Sequence, residues 1–262
     1  MTAAQSEALA GLSELAQTWL WLHFLVFLRM APVAALFPGL GDGMVPLRVK
    51  LVLALALSVA VTPILAPNLR AIAAAPPPLG QVVAAETAIG LLMGLGLRLF
   101  VVALQTAGAI AAQSTSLSQV LGNAGATPMP AMGQLLVIGG IALAMLMGLH
   151  LRLAEMVVLS YRLFPVAQFP DAASVAQWGI AQVAGAFALA FTLAGPFVVV
   201  SVLYNLTLGV INRAMPQLMV VFVGAPVITG AGLVLLLLLA PTMLRIWVVA
   251  LGRFLAQPFG GG

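Results

Sequence analysis

Six acids, ten bases and two histidines are all that the 262 residues offer for ionic chemistry. Glu86, Arg98, His150, Arg152 and Glu155 fall in or beside apolar runs, where ionisable groups are costly and often functional. A proton relay would need a chain of carboxylates or histidines across the membrane, and groups this few do not make one. Arg152 and Glu155 stand at i and i+3 and can neutralise each other. Glu86 follows Gln81 closely, near the start of its apolar run. Enzyme chemistry finds no support: there is no G-x-S-x-G elbow, no H-E-x-x-H, no GxxxxGK[ST] phosphate loop and no close acidic pair to hold a metal. The absence of cysteine excludes disulfides, thiolate metal sites and a cysteine nucleophile. No cofactor and no metal are therefore expected. Basic residues are scattered singly without aromatic interleaving, which excludes nucleic acid as a partner despite the net charge of +4.

The remaining polar candidates are amides and small residues arranged on helix faces. In lipid, helices have no hydrophobic reason to associate, so contact surfaces show as stripes of small and polar side chains. Glu86, Gly90 and Gly94 share one face, as do Gly140, Ala144 and Gly148, and ordinary intramembrane packing accounts for both. A third stripe is sharper: Asn205, Gly209, Asn212 and Pro216 follow a 4, 3, 4 spacing on one face. Amides in lipid demand hydrogen-bond partners. This stripe could line a pore, lock against a neighbouring subunit or tie its helix to the next; an interface ranks above a pore.

The elements that must position these groups are membrane helices. A composition of 63% hydrophobic and 6% charged residues, with a mean hydropathy of +1.18, lies far outside the soluble globular range. Leu99 to Leu149 carries no formal charge at all. The expected fold is an all-α integral membrane protein, a single membrane domain over 1–262 with six helices near 15–37, 47–66, 81–112, 134–161, 177–211 and 225–250. Pro67 and the Pro76-Pro77-Pro78 run mark a connection after the second helix, and Pro196 predicts a kink in the fifth. The loop 113–133 is uncharged and rich in Gly, Ser and Pro, unlike the other connections. No cleaved signal peptide is expected, the first helix serving as its own insertion signal. Lys and Arg divide almost evenly between the two loop sets, so orientation is undecided by charge.

The run Asn205-Leu206-Thr207-Leu208-Gly209-Val210-Ile211-Asn212-Arg213-Ala214-Met215-Pro216-Gln217-Leu218, continuing through Phe222, Gly224 and Pro226, resembles the N-x-x-L-G-x-x-N-R-x-x-P-Q region of the FliR family of type III export-gate subunits. Weaker matches follow in the same order along the chain. They are Arg29 with Ala31-Pro32, Val45-Pro46-Leu47-Arg48-Val49-Lys50, Thr62-Pro63, Glu86 with Gly90, Gly108 with Gln113, Pro130 with Gly133-Gln134, and Gly148-Leu149-His150. The resemblance runs from about Trp19 to Pro241. It implies one copy of this chain in a hetero-oligomer with FliP-like and FliQ-like subunits, its first four helices FliP-like and its last two a FliQ-like hairpin. It further implies neighbouring FlhB-like and FlhA-like components, the bacterial inner membrane at the flagellar basal body, and unfolded flagellar proteins in transit. In such a subunit the loop between the third and fourth helices helps plug the pore, which here assigns Gln113, Ser116, Gln119, Gly122, Gly125, Pro128, Met129 and Met132 to the plug. Glu86, Gly90, Gly94, Asn205, Gly209, Asn212, Arg213, Pro216 and Gln217 would serve subunit or helix interfaces. The family's usual G-F-A and D-P patterns in the loop are replaced here by Ser116-Leu117-Ser118-Gln119 and Thr127-Pro128.

Two other readings stay open. The homologous subunit of the virulence injectisome shares these features, and the near-complete Asn212-Arg213 to Pro216-Gln217 pattern favours the flagellum. A small-solute permease would also use six helices with a broken fifth, but it predicts inverted repeats and a midplane site that the sequence does not display.

Overall fold

The computed structural model describes residues 3–39, 45–115, 131–215 and 220–260. Seven helices and no strand occur among the described residues: α1 (Ala3–Leu36), α2 (Leu47–Ala74), α3 (Leu79–Thr115), α4 (Ala131–Leu146), α5 (Leu149–Leu163), α6 (Ala172–Ala214) and α7 (Val220–Ala256). Five of them, α1, α2, α3, α6 and α7, contain apolar stretches long enough to cross a membrane alone; α4 and α5 reach that standard only together. The protein is an all-α, multi-pass membrane protein. At about 1.5 Å per residue, the 43 residues of α6 extend roughly 64 Å, about twice the hydrocarbon thickness of a bilayer.

Several element boundaries differ from those expected: α1 already starts at Ala3, and α7 runs over Val220–Ala256 rather than 225–250. The apolar run 134–161 is two helices, because the chain breaks at Met147-Gly148, where Gly148 takes φ 78°, a left-handed conformation that glycine adopts without a Cβ clash. The second helix passes through Pro67 and ends only at Ala74. Proline removes one donor but does not end a helix packed on its neighbours, and Ala66 and Leu69 on either side of Pro67 are buried. Pro196 lies inside α6, as its place within the expected fifth helix implies. That helix starts earlier than 177 because Asp171 caps it: the Ser174 amide and hydroxyl both donate to Asp171 Oδ2, at 2.8 and 2.9 Å.

The chain divides into two compact units. The first comprises Met1–Arg98, Gly148–Gly179 and Leu255–Gly262. Its core is built from Leu22, Leu25, Val26 and Met30 of α1, Val61 and Leu65 of α2, Val82, Ile89 and Met93 of α3, and Leu153, Met156 and Val157 of α5. The C-terminal tail closes this unit: the Trp178 indole donates to the Pro258 carbonyl at 2.8 Å, and the Phe259 ring meets Phe164 edge-on, centroids 4.7 Å apart.

The second unit comprises Leu99–Met147 and Ile180–Phe254. Small residues set its helix spacing. A Cβ on Gly108 would collide with the Gly133 backbone, so α3 and α4 touch main chain to main chain. A Cβ on Gly140 would fall 2.6 Å from Leu104 and close to the Trp247 ring, which is wholly buried and donates its indole hydrogen to the Phe100 carbonyl at 2.8 Å. With no free energy to be gained from hiding apolar surface inside lipid, such close approach and interhelical hydrogen bonding supply the cohesion.

Candidate functional site

Arg29 sits in the last third of α1 among Leu, Val and Met, and its side chain is 0% exposed. A buried guanidinium is tolerable only if its charge and its fixed fork of N–H groups are answered. Helices α3 and α5 and the residue just after α5 supply that answer. Nε donates to Glu86 Oε2 at 2.7 Å and Nη2 to Oε1 at 3.1 Å, a bidentate pair with α3. Nη1 donates to the Ser160 hydroxyl at 3.0 Å, Nη2 also donates to the Phe164 carbonyl at 3.1 Å, and the Tyr161 ring lies 3.7 Å from the guanidinium carbon.

Glu86, also 0% exposed, carries the network onward. Its Oε1 accepts the Ala167 amide at 3.2 Å. Ala167 has φ 62°, an uncommon conformation for a residue with a Cβ, which costs on the order of 1–2 kcal/mol and persists only where surroundings hold it. They do so on both sides, since the Ala167 carbonyl accepts the Gln81 side-chain amide at 2.9 Å. Arg29 and Glu86, on separate helices, thus clamp the connection from α5 to α6.

Gly90 and Gly94, on the same face as Glu86, are what let α3 reach Arg29. A Cβ on Gly90 would overlap the Arg29 carbonyl, and one on Gly94 would press on Leu36 and the Pro32 carbonyl at 3.0 Å. The Glu86, Gly90 and Gly94 stripe is therefore a helix interface within the chain. Gly140 and Ala144 are likewise turned inward, in the second unit. Arg29, Ser160, Tyr161 and Ala167 were not singled out for a role from their residue types. The available signal was stoichiometric: a lone arginine inside one apolar run and a lone glutamate inside another need each other. Among the described residues, no ion pair joins Arg152 to Glu155, and both are exposed on α5 with His150.

The stripe on α6 is built in the opposite way. Asn205 is part-buried and its amide reaches the Ser201 hydroxyl at 3.3 Å, within the same helix. Gly209, Asn212 and Arg213 are exposed, and a Cβ on Gly209 would meet nothing within 4 Å. The neighbouring Tyr204 hydroxyl is shielded yet has no hydrogen-bond partner among the described residues. Pro216 and Gln217 lie outside the described residues. Of the plug residues, Gln113 is exposed on the last turn of α3 and Met132 is buried on the first turn of α4; Ser116, Gln119, Gly122, Gly125, Pro128 and Met129 lie outside the described residues. No group of three or more His, Asp or Glu suited to a metal occurs among the described residues.

Long apolar helices, one buried ion pair among the described residues and an exposed face on α6 with Asn212 and Arg213 define a multi-pass membrane protein. Residues 20–254 match the family described as bacterial export proteins, family 1. The chain is 32% identical over 225 residues to flagellar biosynthetic protein FliR of Caulobacter vibrioides, covering 85% of this chain and 90% of that protein. It is 28% identical over 231 residues to flagellar biosynthetic protein FliR of Escherichia coli, covering 86% of each. The chain belongs to this family of bacterial export proteins, the FliR family.

Proposed function

We propose that this chain is a non-enzymatic core subunit of the flagellar protein-export gate, in the bacterial inner membrane at the flagellar basal body. In this reading one copy joins FliP-like and FliQ-like subunits, beside FlhB-like and FlhA-like components, around a channel that unfolded flagellar proteins traverse. The observation that carries it is the uncovered α6 stripe, where Asn212, Arg213 and Gly209 face outward on the segment with the family's sharpest motif. Exposed amides and an open glycine on an apolar helix are what an interhelical partner uses, since small residues permit close approach and amides hydrogen-bond across. The segment between α3 and α4 is the plug in this reading, an uncharged Gly- and Ser-rich stretch that can seal and yield.

The test is native mass spectrometry of the tagged chain, purified in mild detergent after coexpression with its neighbouring genes. One copy retained with several copies of two other small membrane proteins is the expected result. A lone monomer or homodimer despite expressed partners would overturn the gate reading. Deleting part of 116–130 in that complex should make membranes leaky to small ions, and an unchanged leak would remove the plug assignment.

A further inference from the structure

Among the helices, α5 is built unlike the rest. It has 15 residues, roughly 22 Å, too short for a hydrocarbon core of about 30 Å. Within that length it carries His150, Arg152, Glu155 and Arg162, whereas α4 has no ionisable residue. One face, with Leu153, Met156 and Val157, is buried in the first unit. The outward face interleaves charge with exposed leucine: Leu151 is 62% and Leu163 58% exposed, set among Arg152, Glu155 and Arg162, which are exposed as well. Just beyond the helix, Phe169 is 58% exposed on the connection to α6.

We propose that the outward face of α5, with Phe169, is an interfacial foot that rests in the headgroup layer and binds anionic phospholipid through Arg152 and Arg162. The hydrocarbon core would leave the two arginines unsolvated, and water would leave the leucines and Phe169 uncovered; the headgroup layer satisfies both, with leucines dipping inward and guanidinium groups on phosphates. Two arginines against one glutamate leave this face with a positive balance, the sign an anionic lipid requires. The foot is also held rigidly. Arg29 binds Ser160 and Phe164 at the end of α5, and Glu86 and Gln81 grip Ala167 two residues before Phe169. The left-handed backbone at Ala167 thereby sets where Phe169 is presented.

The chain contains no cysteine, so a single introduced cysteine can be spin-labelled cleanly in the full protein. Leu159→Cys on the outward face and Ile138→Cys on an exposed position of α4 would be compared in nanodiscs by power saturation with oxygen and a nickel chelate. The nanodiscs would be phosphatidylcholine with or without phosphatidylglycerol. The expected depth for Leu159→Cys is within about 10 Å of the headgroup boundary, shallower than Ile138→Cys. Native mass spectrometry should show retained phosphatidylglycerol weakened about fivefold for each arginine lost in Arg152→Gln and Arg162→Gln, and kept by Arg152→Lys with Arg162→Lys. A Leu159→Cys label as open to nickel as free water, one as deep as Ile138→Cys, or one shielded from both reagents as beneath a protein partner would each overturn the foot. So would phosphatidylglycerol retention unmoved by loss of both arginines. None of these outcomes depends on which export system the protein serves.

Discussion

Two places in this molecule set polar groups into apolar surroundings, and they resolve the problem in opposite ways. Around Arg29 and Glu86 the donors find acceptors inside the chain, from α1, α3, α5 and the loop beyond it. Along α6, Asn212 and Arg213 are presented outward, and among the described residues Asn205 reaches the Ser201 hydroxyl of its own helix. A network that answers itself fixes a fold, while one left open specifies something outside it. The contrast separates residues that keep the first unit together from residues that, in the proposed reading, meet a partner subunit.

The sharpest way to break this contrast is at the ion pair. Arg29→Leu or Glu86→Leu should each destabilise the protein by about 3–5 kcal/mol, because each strands a buried charge, while the double substitution should recover most of the loss. Detergent thermal-aggregation profiles of the four proteins measure this, and a double variant as unstable as the singles would show that the charges themselves, not their mutual answer, are needed. Gly90→Leu should cost about 1–3 kcal/mol by driving α3 away from the Arg29 carbonyl, whereas Gly209→Leu, with open space around it, should leave thermal stability unaltered. Equal losses at both glycines would erase the distinction between inner and outer faces. Asn212→Leu should change stability by less than about 0.5 kcal/mol yet lower the yield of partner subunits retained on affinity purification. If complex yield stays the same, the stripe is not an assembly surface.

The smallest expected effect is at the cap of α6. The Ser174 backbone amide and hydroxyl hold the Asp171 carboxyl below the usual carboxylate range. Its stabilising contribution is therefore present above about pH 3.9, the ordinary aspartate value, and is lost as pH falls through the lower folded-state value. Asp171→Asn should differ from the parent at neutral pH and converge with it in acid. A difference that persists undiminished at the acid end would rule out the charge-assisted cap.

The membrane helices were legible in the sequence because unbroken apolar runs leave few alternatives to a span. The break before α5 was not, since hydropathy continues smoothly through Met147-Gly148-Leu149 and Gly148 also fits a small-residue face. Pro67 misled in the other direction: a local rule about proline lost to packing on both sides of it. Among the site residues, Gly209 and Asn212, both exposed on α6, were legible together because they are close in sequence. The partnership of Arg29 with Glu86 was hidden for the complementary reason, the two lying 57 residues apart on different helices. Non-local electrostatics leave no periodicity to read.

That same pair has a consequence in time. Arg29 leaves the ribosome 57 residues ahead of Glu86 and 135 ahead of Phe164. At about 5–20 residues per second, α1 waits roughly 3–11 s before its carboxylate partner has even been made, and longer still before the last acceptor arrives. An unanswered arginine inside a membrane helix costs up to about 2.5–3.5 kcal/mol at insertion, the value at the helix centre, so α1 has reason to linger beside the translocation machinery until α3 follows. The pair therefore predicts a delayed joint entry for the first unit, with α1 released into lipid once α3 has been made.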